Sequence, residues 1–230
     1  MQARHAVLAR ERFVTDIFHE VDEEVRREQL KKLWDRHGHL LVLVAFLVVA
    51  GIAAWRGYGW WEAKKAAESG AAFEAAVAQA DAGKHSEAEA AFDKIAVTGT
   101  SGYRPLARLR AAGELAQIDA KAALADYEKI AADGAVGPVL ADLASLRAGE
   151  ILIDAGAFDE ARKRLEPLAG NDRVFRHTAR ELLVLAAWRA GDMTSAKPWI
   201  DMILSDLQTP SGTRSRVEML VALSPTPSKG

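Results

Sequence analysis

There is no cysteine in this 230-residue chain, which excludes disulfide staples, zinc-thiolate sites and a thiol nucleophile. Any fold must be held by packing alone. Aromatic residues are scarce too, 7% in a sequence that is 50% hydrophobic. Alanine outweighs the β-branched residues almost throughout, a composition that suits close-packed helices better than sheets. The fold class is therefore read as all-α. Neither sign of charge dominates: the formal net charge is -2, residues 1–38 carry eight Lys/Arg against eight Asp/Glu, and residues 56–230 carry 22 against 24. A basic field for nucleic acid is missing. The length leaves room for one ordinary domain plus extras.

Signs of catalysis are equally sparse. His37 and His39 lie at the edge of an apolar run, His85 falls in a turn and His177 near a helix start. His85 has Asp81 and Glu89, and His177 has Glu181, four residues away, but neither has a second histidine at the i,i+4 spacing of a helical metal site. Glycine-rich phosphate loops, a nucleophile elbow and a paired histidine-acid motif of the H-E-x-x-H kind are absent. The many carboxylates read as the solvated faces of amphipathic helices. No enzyme activity, metal or cofactor is expected.

What is present begins with an apolar run. Leu40 to Trp55, LLVLVAFLVVAGIAAW, contains no charge. With His39 and the Gly57–Trp61 flank it approaches the roughly 20 residues that a bilayer requires. Leu40, Leu41, Phe46 and Val49 represent its apolar body. Trp55, Tyr58, Trp60 and Trp61 cluster at its end, where amphipathic rings prefer the headgroup layer, and Arg56 can snorkel. A core helix of a soluble protein seldom runs this long without a polar face, and a cleavable signal peptide would not start its apolar run at residue 40. Residues 39–61 are read as one retained transmembrane anchor. Arg26, Arg27, Lys31, Lys32 and Arg36 crowd the N-terminal flank, against Arg56, Lys64 and Lys65 beyond. The N-terminus is accordingly expected in the cytoplasm and the C-terminal part across the membrane. Within the leader, 1–38, Phe13, Ile17, Val21 and Val25 recur every four residues, followed by Leu30, Leu33 and Trp34. That spacing suits an amphipathic helix which docks on a partner or lies at the interface.

Beyond the anchor, residues 62–223 repeat themselves. Gly83, Ala88, Phe92 and Ile95 are answered by Gly156, Ala161, Leu165 and Leu168, and by Gly191, Ala196, Ile200 and Ile203. A copy without its glycine, Ile118, Ala123, Tyr127 and Ile130, falls between. The starts at 83, 118, 156 and 191 are 35, 38 and 35 residues apart. A period of this length means stacked helical hairpins. Tyr103, Leu140 and Phe175 repeat in the first helices. The glycines are expected to end the first helix of each pair in a left-handed conformation, and the small alanines to let paired helices approach. A segment near Thr213–Leu223 would cap the stack, and 224–230, with two prolines, reads as a disordered tail.

The Gly, Ala and large-apolar spacing resembles the tetratricopeptide repeat, which implies a right-handed solenoid of about four helical hairpins plus a capping helix. The Trp, Leu-Gly and Tyr of that family's first helix are mostly missing, and only Gly149 answers its glycine. In such stacks the first helices line a groove, so Arg104, Arg108, Arg147, Arg176 and Arg180 are candidate partner contacts. The plainer reading is arginine covering alanine surface with its methylenes. Phe73, Val77 and Ala112 stand where a carboxylate clamp would need Lys and Asn, so a bound C-terminal carboxylate is not expected.

With Asp16–Glu24 (DIFHEVDEE) and Leu33–Gly38 (LWDRHG) in the leader, the chain as a whole resembles the YfgM-type family over nearly its whole length beyond about the first twelve residues. That resemblance implies a non-catalytic, single-pass type II protein of the bacterial inner membrane with a periplasmic repeat domain. It would be associated with the SecYEG translocon and a PpiD-type prolyl isomerase, and would assist or chaperone unfolded secretory polypeptides. A structural or assembly subunit of another inner-membrane complex is the alternative.

Overall fold

In a computed structural model of the chain, the structure describes residues 3–224, with side chains at 27, 31, 32 and from 34 onward. The leader stripe Phe13, Ile17, Val21, Val25, Leu30 and Leu33, and the tail from 225 to 230, lie outside those described side chains and residues. Among the described residues every regular element is helical: α1 (Ala3–Asp81), α2 (His85–Thr98), α3 (Tyr103–Leu115), α4 (Ala120–Ala132), α5 (Pro138–Asp154), α6 (Phe158–Leu165), α7 (Arg176–Arg189), α8 (Met193–Ser205) and α9 (Ser211–Ala222). Short 3-10 turns follow α4 and α6. The chain divides into two compact units, residues 1–63 and 64–230.

The first unit is helical, and its apolar run stays uncovered. Leu41 is 49% exposed, Phe46 67% and Trp55 77%. The segment from Trp34 to Asp81 contains a window of mean hydropathy 2.3, long and apolar enough to cross a membrane, of which only 6% is buried. A helix at the core of a soluble domain would have the opposite burial. Tyr58 and Trp61 sit side by side at the C-terminal end of the run, with ring centroids 6.0 Å apart.

The second unit is a stack of four helical hairpins and a final helix. Residues 64–81 of α1 pair with α2, α3 with α4, α5 with α6 and α7 with α8; α9 packs on the last pair. The hairpins form where the glycines stand. Gly83, Gly156 and Gly191 have φ of 73°, 76° and 71°, a region closed to most residues that carry a Cβ. At each, two backbone bonds satisfy carbonyls that the helix end leaves open: Gly83 N–H donates to Ala80 O at 2.9 Å and Lys84 N–H to Gln79 O at 3.0 Å. The same pair of bonds recurs at Gly156 and Ala157, and at Gly191 and Asp192.

The second hairpin turns without a left-handed residue. Ile118 and Asp119 both donate to Leu115 O, at 2.9 and 2.7 Å, and the Asp119 carboxylate then caps α4 by accepting from Lys121 and Ala122, at 3.0 Å each. Ile118 itself is 51% exposed. The turn is one residue shorter: the facing buried pair Ala112 and Ala123 is separated by 11 positions, where Ala76/Ala88, Gly149/Ala161 and Val184/Ala196 are separated by 12. The short turn accounts for one residue of the irregular step of 38, and the rest lies in the α4–α5 connection with its 3-10 turn.

Packing follows the repeat pattern closely. Ala88, Ala123, Ala161 and Ala196 are each 0% exposed, Phe92 and Leu165 are equally sealed, and Tyr127 is 4% exposed. Ile200 is only half-buried against α9's cluster. The zero-exposure alanines mark where paired helices come nearest, and the larger residue one turn on fills the space that this leaves. Burying a side chain such as Phe92 or Leu165 contributes about 1.5–3 kcal/mol.

Candidate protein-binding groove

Among the described residues, the core clusters leave an opening between the second and third hairpins. A groove of about 940 Å³ lies between the C-terminal part of α3, the N-terminal half of α4 and the C-terminal half of α5. Its apolar lining is Leu109, Leu124, Leu143 and Ile151, with Tyr127 between them. Arg110, Glu114, Lys121, Arg147, Glu150 and Asp154 supply its charged lining. Gly113 sits beside the hydroxyl of Tyr127: a Cβ there would come 3.3 Å from the phenol oxygen.

The carboxylates of the groove are all paired. Glu114 Oε2 lies 2.8 Å from His85 Nδ1, Arg147 Nη1 donates to Glu150 Oε2 at 2.7 Å, and Arg189 Nη1 to Asp154 Oδ1 at 2.6 Å. The bond to Glu150 holds the Arg147 guanidinium above its ordinary pKa. Burial pushes the Tyr127 phenol up, with Arg147 and Arg110 acting against the shift and Glu150 and Glu114 adding to it. The phenol is therefore a neutral O–H donor at physiological pH.

The five arginines expected to share a groove lie in four places. Only Arg147 lines the opening just described. Arg108 and Arg180 do hold equivalent positions in the repeat, but their surroundings differ. Arg108 Nη1 donates to Asp133 Oδ2 at 2.6 Å, which with the Ala135 N–H keeps that carboxyl below its usual range. It faces a separate cleft with Glu89, Asp93, Asp126 and Lys129. Arg180 is 1% exposed, donating to Ala169 O at 2.9 Å and to the Asn171 side chain. It braces the α6–α7 loop, and with Arg176 it lines a separate cleft beside Asn171, Asp206 and Gln208. Arg176 and Arg180 each approach Asp206 Oδ2 at 3.6 Å, and Arg176 also bonds Gln208. Arg104 Nε donates to Gly99 O at 2.8 Å, closing the α2–α3 loop. Arginine on a first helix is visible in sequence; whether a loop carbonyl or carboxylate claims it is not.

Arg110, Lys121 and Gly113 were not singled out from sequence, and Tyr127 was read only as packing. The cue available for Arg110 was its place two residues after Arg108, which at about 100° per residue sets it on nearly the opposite face of α3. Among the described residues no group of three or more His, Asp or Glu could hold a metal ion.

These hairpins, their glycine turns and their alanine contacts agree with a family description matched independently by sequence. A family model described as a tetratricopeptide repeat-like domain covers residues 31–208. The chain belongs to this family. No curated protein and no solved structure matches it. The tetratricopeptide repeat-like match takes in the apolar run and all four hairpins and stops in the α8–α9 link, so α9 is added beyond it. Repeat domains of this kind are protein-interaction modules, and protein partners follow for this tetratricopeptide-like chain.

Proposed function

We propose that the chain is a non-catalytic, membrane-anchored protein-binding subunit that offers the α3–α5 groove to polypeptides. The observation that carries this reading is the groove itself, apolar within, charged at its edge and unfilled by the chain's own side chains. In this reading residues 1–38 are a cytoplasmic leader, 39–61 the anchor with its aromatic boundary, and 62–223 the repeat domain on the far side. Leu40, Leu41, Phe46 and Val49 face lipid, and Trp55, Tyr58, Trp60 and Trp61 meet the headgroups.

The setting proposed is the bacterial inner membrane beside the SecYEG translocon, with a PpiD-type prolyl isomerase as neighbour and emerging secretory polypeptides as clients. Support comes from the leader segments Asp16–Glu24 and Leu33–Gly38 and from their order before one span and the repeats. Extraction in mild detergent followed by affinity purification of the tagged chain is expected to bring translocon subunits with it. Stoichiometric recovery of some other membrane complex without them would overturn the secretory assignment while leaving the protein-binding role standing.

A further inference from the structure

The two edges of the repeat domain differ in character. Because the paired helices run up and back, the links α2–α3, α4–α5, α6–α7 and α8–α9 all fall at the edge opposite the glycine turns. Hydrogen bonds join these links into a row. Thr100 N–H donates to Ser69 Oγ at 3.3 Å, Arg108 Nη1 to Asp133 Oδ2 at 2.6 Å, Arg173 to Asp142 and Arg176 to the Gln208 side chain. Each bond ties one link to the opening turns of the first helix before it.

Every link exposes a bulky apolar side chain. Leu207 is 97% exposed and Val97 77%, and Val174 and Val139 are exposed as well. A single exposed apolar residue needs no explanation, but one at each of four successive links makes a row. Among the described residues, the turns at the opposite edge expose one large apolar side chain, Ile118. Charge at the links is met from within: Arg108 holds Asp133, and Arg176 and Arg180 approach Asp206. Asp172 stands beside Arg173, which is bound to Asp142. A carboxylate at that place keeps any contact with lipid shallow.

This edge is also where the repeat domain begins. Lys64 and Lys65 open the helix that carries Ser69, and Lys64 comes three positions after Trp61 in the sequence. Three residues reach at most about 10 Å even when fully extended. If residues 39–61 are an anchor, a tether this short keeps the edge near the headgroup layer and raises the effective concentration at which weak apolar contacts meet it.

We infer that the edge carrying Val97, Val139, Val174 and Leu207 rests on the lipid headgroup layer, with these side chains inserted among headgroups and Lys64 and Lys65 against lipid phosphates. The α3–α5 groove, built from the turn-side halves of its helices, is thereby left open to polypeptides. This rests on the membrane-anchored reading above and gives the domain a second contact with the bilayer.

The absence of cysteine lets a single thiol be placed for the test. Full-length chains with Val97→Cys, Leu207→Cys, Lys84→Cys or Phe46→Cys are labelled with nitrobenzoxadiazole. They are reconstituted, with lipid in large excess, into vesicles of phosphatidylcholine and phosphatidylglycerol. A nitroxide on the phosphatidylcholine headgroup is expected to quench the label at 97 and at 207 at least threefold more than at 84, which lies on a glycine turn. With the label at 97, the changes Val139→Ser, Val174→Ser and Leu207→Ser together should lower quenching to the level at 84, although the tether is unaltered. All three side chains are exposed, so melting temperature should not move. Equal quenching at 97 and 84 overturns the inference, as does quenching at 97 that the serine changes leave intact. Energy transfer between labels at 97 on two copies of the chain would assign the edge to self-association and overturn it too. A nitroxide deep in the acyl chain reports on Phe46→Cys separately: quenching there without quenching at 97 removes the edge contact and keeps the anchor, whereas no quenching at 46 removes both.

Discussion

Gly149 and Leu165 meet so closely that no side chain fits between them: a Cβ on Gly149 would lie 2.7 Å from Leu165 Cδ2 and 2.8 Å from Cγ. Both residues are buried where α5 crosses α6. Helix propensity alone says that Gly149→Ala should gain about 1 kcal/mol. Overpacking a tight contact costs about 1–3 kcal/mol, and here the obstacle is the branched end of a sealed leucine. Gly149→Ala is therefore expected to destabilise, read as a lower urea midpoint. Leu165→Ala alone should cost about 2–5 kcal/mol, and the double variant less than the sum of the two, because the second change removes the atoms that the first would strike.

The turns make a contrasting pair. Gly191→Ala forces a Cβ into a φ of 71° and should cost about 1–2 kcal/mol. Ile118→Gly, at the equivalent place in the second hairpin, should bring no gain, since that turn is built on right-handed backbone and the Asp119 cap. Asp119→Ala should instead cost about 1 kcal/mol there. Thermal unfolding of the three variants side by side checks this ordering.

The architecture was legible because it is local and periodic. A glycine five residues before an alanine, with a large apolar residue four further on, states a turn, a close contact and a filler within ten positions. The chain folds by repeating that statement. The one irregular hairpin was visible as a missing glycine at 118, though not its shorter turn. The groove was less legible for the opposite reason. Its content depends on which side chains remain unpaired after the loops have taken theirs, and Arg180 and Arg104 are taken by Ala169 and Gly99 carbonyls distant from any sequence motif.

Acidic residues crowd α2 and α4. The Asp93 carboxyl is raised by burial and then by Asp126, and the Glu89 carboxyl by burial and by Asp93 and Asp126. Facing them across the cleft are Arg108, engaged with Asp133, and Lys129, engaged with Asp126. A carboxyl whose folded pKa is raised binds its proton more tightly in the fold, so its charged form opposes folding once pH exceeds that folded value. Asp93→Asn should accordingly raise the melting temperature at pH 7. The advantage should shrink as pH falls towards 3.8 and vanish below it, where both states are protonated. A difference independent of pH would show that charge is not its source.

The uncovered run in α1 yields the last prediction, and the absence of cysteine makes it clean to read. An Asp at the centre of a membrane-spanning helix costs about 2.5–3.5 kcal/mol. Leu47→Asp with Val48→Asp should therefore move the chain from the membrane pellet to the supernatant after alkaline extraction, while Lys84→Gln, on an exposed turn, should not. For orientation, Lys84→Cys and Arg36→Cys each give a single thiol, because the chain has no other. In intact spheroplasts a membrane-impermeant maleimide is expected to label Lys84→Cys at once and Arg36→Cys only after permeabilisation. The reverse order would place the repeat domain in the cytoplasm and separate it from secretory clients; immediate labelling of both would mean that the helix lies on the membrane without crossing it.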